Sequence, residues 1–310
     1  MPDIAAVDYP SEVIQPRLWL IGGTGEAVAL ASALGALAIP CLVTVTTAAA
    51  ARAYPPRPGL TVQVRTLTPD TLADFIHTQG IAAILDASHP FAVEISQGAM
   101  AQAAGLNLPY WRYERPNLSA GLVTSPPDRS GFPTSECPPS NATGSGSSPQ
   151  CPGQPLRVPD LAAALRPDIL GGQRVLLTLG YRWLAAFQPW QDRATLFARI
   201  LPSPVALEAA LAAGFLPERL IALRPPIGEG LEQALWQQWE ITTVITKASG
   251  QPGGEDTKRR VAERLGAILV IIDRPPLVYP VLFHSLEETV VQCRQWWQAQ
   301  KNSATFSFIR

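Results

Sequence analysis

Apolar residues along this chain come in short runs that alternate between two spacings. "RLWLIGG" (17–23) is continuous and ends in glycine, as a strand buried on both faces does. "EAVALASALGAL" (26–37) then takes the helical period, and the β-branched "PCLVTVTTA" (40–48) reads as a second strand. "GLTVQVRTL" (59–67) predicts a third strand, and "TPDTLADFIHTQG" (68–80) a helix opened by Thr or Asp and closed by Gly. "IAAILDAS" (81–88) is another strand and "PFAVEISQGAMAQAAGL" (90–106) another helix, with Pro90 at its first position. "LPYWRYER" (108–115) is a strand that suits either neighbouring sheet.

Residues 117–157 are crowded with Ser, Pro and Gly and have too few apolar positions for a core, which predicts a disordered linker or insertion. Alternation then resumes. Strands are expected at 174–180, 194–201, 219–225, 241–250 and 267–276, and helices at 205–213, 231–239, 256–266 and 284–300. Strands alternating with helices imply βαβ units and parallel sheets. The expectation is α/β, with a domain at 1–116, the linker at 117–157 and a second α/β domain at 158–310. The halves share an architecture without a convincing sequence repeat.

Composition narrows the class. The 310 residues are 47% hydrophobic and 16% charged, enough for two cores. No apolar run reaches the length of a membrane span, and the N-terminus is acidic where an export signal is basic, so a cytoplasmic protein is expected. A net charge of −1 argues against a nucleic-acid surface. Lys247, Lys258 and Lys301 are the only lysines among 24 basic residues. An arginine-rich set suits a site that grips carboxylates or phosphates, because the guanidinium fork pairs with them bidentately. Cys41 reads as a small buried hydrophobe, and Cys137 and Cys151 lie in the linker. No CxxC pair or His/Cys cluster calls for a metal.

The chemistry-bearing stretches sit at predicted strand ends. "LIGGTGEA" (20–27) leaves the first strand and opens the first helix, so Gly22, Gly23, Thr24, Gly25 and Glu26 are candidates for cradling a phosphate. The third glycine of the dinucleotide fingerprint is missing. The end of the second strand offers Thr44, Thr46, Thr47 and then Arg52, with no acid for a ribose hydroxyl, which favours NADPH over NADH. Asp86, Ser88, His89 and Pro90 occupy the next strand end, where open α/β sheets bind ligands. There His89 is expected to position or hydrogen-bond, and capping by Ser88 or Asp86 is the plain alternative. "VITKASG" (244–250) places Lys247, Ser249 and Gly250 in the counterpart position, an expected anion grip. Arg112 and Arg115 in "YWRYERP" and Tyr181 and Arg182 in "LTLGYRWLAAF" complete the candidate substrate contacts, and His89 and Lys247 are the candidate catalytic side chains. A helix cap explains Glu255 and Asp256 without function.

Taken together, "GGTGEA", "DASHPFA", "RYERP", "LLTLGYRWLAAF", "VITKASG" and "IIDRPP" resemble the precorrin-6A reductase family of cobalamin biosynthesis across residues 17–277. The departures are the 117–157 insertion, "RPPIGEG" and the helix after residue 277. The resemblance implies two Rossmann-like domains with parallel sheets and a cleft between them. It implies NADPH- or NADH-dependent reduction of a ring double bond in a corrin precursor, a macrocycle with acetate and propionate arms. A monomer or small homo-oligomer is expected, with no nucleic-acid or membrane partner. Two other readings stand beside it. A short-chain-dehydrogenase-like reductase or epimerase would carry Tyr-xxx-Lys, and no tyrosine here has lysine four places on. A nucleotide sensor or scaffold would use the glycine turn without turnover.

Overall fold

A computed structural model describes residues 15–116 and 154–307. The linker expectation for 117–153, with Cys137 and Cys151, lies outside the described residues. The chain first forms β1 (Arg17–Ile21), α1 (Gly25–Ala36), β2 (Cys41–Val45), α2 (Ala48–Ala51), β3 (Leu60–Val64) and α3 (Pro69–Thr78). Then come β4 (Ile81–Asp86), α4 (Val93–Gly105), β5 (Tyr110–Tyr113), β6 (Leu156–Val158), α5 (Leu161–Ala164) and α6 (Pro167–Leu170). After β7 (Arg174–Leu177), a 3-10 helix (Tyr181–Trp190) leads to β8 (Thr195–Ile200), α7 (Pro204–Ala212) and β9 (Leu220–Ala222). The chain ends through α8 (Glu229–Gln238), β10 (Thr243–Lys247), α9 (Glu255–Leu265), β11 (Ile268–Ile272), β12 (Leu282–Phe283) and α10 (Leu286–Ser307).

These elements form two compact units, one spanning Met1–Arg115 with Pro276–Arg310 and the other Pro116–Pro275. Each holds a six-stranded sheet, ordered β12-β5-β4-β1-β2-β3 in the first and β6-β11-β10-β7-β8-β9 in the second. Among the described residues, the strand pairs are parallel in both sheets. The α/β expectation of two Rossmann-like domains with parallel sheets holds. Two boundaries need correction. Residues 276–310, expected in the second domain, join the first unit, because β12 pairs with β5 and α10 packs on α1. Leu156 and Arg157, expected in the linker, belong to β6, because they pair with β11.

Strand alternation explains the layers of the first unit. Leu18, Leu20, Val43, Ala83 and Leu85 face α1 and α10, while Trp19, Ile21, Leu42 and Ile84 face α3 and α4. Helices on both faces leave the carboxyl ends of the strands for ligands. Cys41 is buried as expected, and burial pushes its thiol well above the usual range.

Candidate functional site

In the first sheet the strand order reverses between β1 and β4, so the turns after these two strands border one crevice. The turn after β1 is shaped by two glycines. A Cβ on Gly22 would lie 2.4 Å from the Tyr54 hydroxyl and 3.0 Å from Val43, so no larger residue fits. Gly23 has φ +107°, which L side chains rarely adopt, and its amide donates to Tyr54 Oη at 3.1 Å. Cβ atoms at Gly23 and Gly25 would meet nothing within 4 Å, so both face open space at the start of α1. Thr24 Oγ1 caps α1 by accepting from the Ala27 amide at 3.1 Å, and it donates to Ala87 O at 2.8 Å. The second bond ties the turn to the end of β4. Glu26 pairs with Arg115 at 3.2 Å beside this turn, so two side chains expected to meet different ligands meet each other. At the end of β2, Thr46 is exposed, and Thr47 caps α2 by accepting from the Ala50 amide at 3.1 Å.

The end of β4 corrects two expectations. Asp86 and Arg112 are both 0% exposed, and Arg112 Nη1 donates to Asp86 Oδ1 at 2.8 Å. The carboxylate also accepts from the Ser88 amide, Ser96 Oγ and Tyr110 Oη, at 2.9, 2.6 and 2.7 Å. Arg112 further donates to Ser88 Oγ and Glu114. Neither Asp86 nor Arg112 presents its charge to a ligand, because burying either ion requires the other as partner. Ser88 is turned into the same network. Burial, with the Asp86 carboxylate beside it, pushes Tyr110 far above the usual phenol range. This network fixes the start of the His89 turn. Pro90 lies in that turn and does not open the helix: Ala92 N–H closes it on His89 O at 2.8 Å, and α4 begins at Val93. His89 Nδ1 accepts from the Phe91 amide at 3.2 Å, which leaves the proton of a neutral ring on Nε2, a donor.

In the second unit the order reverses between β7 and β10, and again the expected residues cluster there. The β7 turn carries Gly180, half-buried Tyr181 and exposed Arg182, and β10 ends in Lys247. Lys247 Nζ lies 4.0 Å from the centroid of the Trp183 ring, a cation–π contact. Burial first, and then the charge of Arg182, pull its pKa down to about 8. Ser249 and Gly250 are buried, so they shape the loop more than they face solvent.

Four residues around these sites carry no sequence motif that points to them. Tyr54 lies 31 positions from the turn it supports, with no local signal. Trp183 directly follows Tyr181 and Arg182 in "LTLGYRWLAAF", where a tryptophan reads equally as core. Arg199 and Glu232 pair across β8 and α8 and line a cavity of about 250 Å³ with Lys258 and the Gln251–Gly254 loop.

Both units therefore offer an open turn at the same topological position. The family model described as "Precorrin-6x reductase CbiJ/CobK" matches residues 17–131 and 145–294. The chain belongs to this family. Precorrin-6x reductases are oxidoreductases acting on a ring C=C bond, which bears out the expectation carried by "GGTGEA", "DASHPFA" and the later motifs. The chain is 46% identical over 264 residues to the cobalt-precorrin-6A reductase of Synechocystis sp. (strain ATCC 27184 / PCC 6803 / Kazusa), covering 84% of this chain and 89% of that one. It is 30% identical to the cobalt-precorrin-6A reductase of Priestia megaterium over 87% and 95% of the two chains. The solved structure titled "CobK precorrin-6A reductase" shares the fold, with a TM-score of 0.63 at 24% identity, over 92% and 97% of the two chains. The reductase family implies a nicotinamide cofactor. The open glycine turn at the first switch point is compatible with the pyrophosphate of such a dinucleotide.

Proposed function

We propose that this protein reduces one ring double bond of precorrin-6A, or of its cobalt form, in cobalamin biosynthesis, with NADPH as reductant. The family match over both units carries the proposal, supported by relatives named for this reaction. A bound nicotinamide dinucleotide supplies the hydride, and the neighbouring carbon gains a proton.

The chain contributes position and charge. Gly23 and Gly25 let the backbone approach the pyrophosphate, Gly22 lets the turn pack against Tyr54 and Val43, and the positive end of α1 stands behind them. His89, protonated at Nε2, donates a hydrogen bond that orients a ligand carbonyl. NADPH is preferred because the end of β2 offers Thr46, Thr47 and exposed Arg52 and no acid to repel a 2′-phosphate. In the second unit, Lys247, Arg182 and Tyr181 grip the carboxylate arms of the macrocycle. The reaction belongs in the cytoplasm.

The test is macrocycle-dependent oxidation of the nicotinamide, run with metal-free and cobalt substrates and with NADPH and NADH. Tight dinucleotide binding without turnover on either substrate would return the protein to the sensor class. Equal kcat/KM for the two dinucleotides would remove the 2′-phosphate assignment.

A further inference from the structure

Lys247 is followed by a loop, Ala248–Gly254, that is tied down by side chains of the next helix. Gly250 N–H donates to Glu255 Oε2 at 3.0 Å, and the Glu255 amide returns a bond to Gly250 O at 3.2 Å. Lys258 Nζ donates to Gly253 O at 2.7 Å and to Gly254 O at 3.2 Å. Arg259 holds the other oxygen of Glu255 at 2.8 Å. From β11 onward, Arg274 Nε donates to Ala248 O at 2.9 Å. Within the loop the fit is close: a Cβ on Gly253 would lie 1.8 Å from Ser249 Oγ.

Glu255 is 0% and Lys258 2% exposed. An N-terminal glutamate that only complemented a helix dipole would do so from the surface, without the desolvation penalty of burial. Glu255 instead satisfies an amide five residues back, and Lys258 satisfies carbonyls that precede the helix. Both spend their charge on the loop between Lys247 and α9.

We propose that Glu255 and Lys258 are positioning residues that hold this loop so that Lys247 and its neighbours meet the carboxylate arms of the substrate in one fixed arrangement. This rests on the assignment of Lys247 to the macrocycle. The loop arrives at the substrate already ordered, so binding does not bear the entropy of ordering it.

The experiment compares Glu255→Gln, Lys258→Met and Lys247→Met in the full-length reductase. It measures KM and kcat for the macrocycle, Kd for NADPH, thermal stability, and amide exchange across residues 248–254. Gln offers one oxygen where Glu offers two, so Gly250 or Arg259 loses its acceptor without loss of volume. Expected for Glu255→Gln and Lys258→Met are faster exchange confined to the loop, KM raised by about tenfold, kcat within about twofold, and unchanged Kd for NADPH. A general structural role would instead lower thermal stability and impair both ligands together. Unchanged KM in the Glu255 and Lys258 variants beside an impaired Lys247→Met overturns the clamp alone. Unchanged constants in all three overturn the assignment of Lys247, and with it this inference. Should Lys258→Met fail to fold, the isosteric Gln variant still decides.

Discussion

In the first unit, the crevice between β1 and β4 is surrounded by charges that have turned inward and paired: Asp86 with Arg112, and Glu26 with Arg115. In the second, the equivalent crevice between β7 and β10 ends in a lysine beside an arginine and a tryptophan. The order β5-β4-β1-β2-β3 of the first sheet recurs as β11-β10-β7-β8-β9 in the second, with only the outermost strand, β12 or β6, differing in chain position, so topology places both crevices. Chemistry separates them. The first unit presents backbone, through glycines and a helix terminus, which suits a pyrophosphate of fixed shape. The second presents cationic side chains, which suit carboxylates spread around a macrocycle.

That contrast breaks hardest at the buried pair. Arg112→Met strands Asp86 without its cation and is expected to destabilise the first unit by about 3–5 kcal/mol, read by chemical denaturation. Asp86→Asn combined with Arg112→Met should cost less than the sum of the two single changes, and additivity would show that the pair is not coupled. Next comes Gly23→Val, which forces an L side chain to φ +107° at a strain of about 1–3 kcal/mol. It should weaken NADPH binding by at least about tenfold while tetrapyrrole binding to the second unit persists. Equal loss of both ligands would erase the division of labour.

Lys247→Met should do the reverse, raising KM for the macrocycle by about tenfold with NADPH affinity intact. The Lys247 contribution belongs to its charged form, which is complete well below pH 8 and disappears as pH rises through about 8. Lys247→Arg keeps its charge at every working pH and should flatten that limb of the KM profile. A smaller effect concerns the clamp. Burial lowers the pKa of Lys258 from 10.5 to about 8, so between those values the unfolded chain binds the extra proton. Stability of the native protein relative to Lys258→Met should therefore rise with pH across that window, and an opposite slope in urea melts would contradict the burial. Smallest of all, His89→Ala should slow turnover by a few-fold without a change in melting, because its ring accepts from Phe91 within one local turn.

Local pattern alone determined much of this protein. Continuous apolar runs marked the central strands, glycine marked the first turn, and the order of motifs marked the family, since each depends on neighbours a few residues apart. What only the tertiary structure decided was which partner each charged residue meets. Arg112 and Lys247 look alike in sequence, each near the end of an apolar strand, but Arg112 finds a carboxylate 26 positions away and is consumed. The same holds for the final strand, whose partner β5 lies across the whole second unit in sequence. Pairing energy depends on distance in space, and no spacing rule reports it.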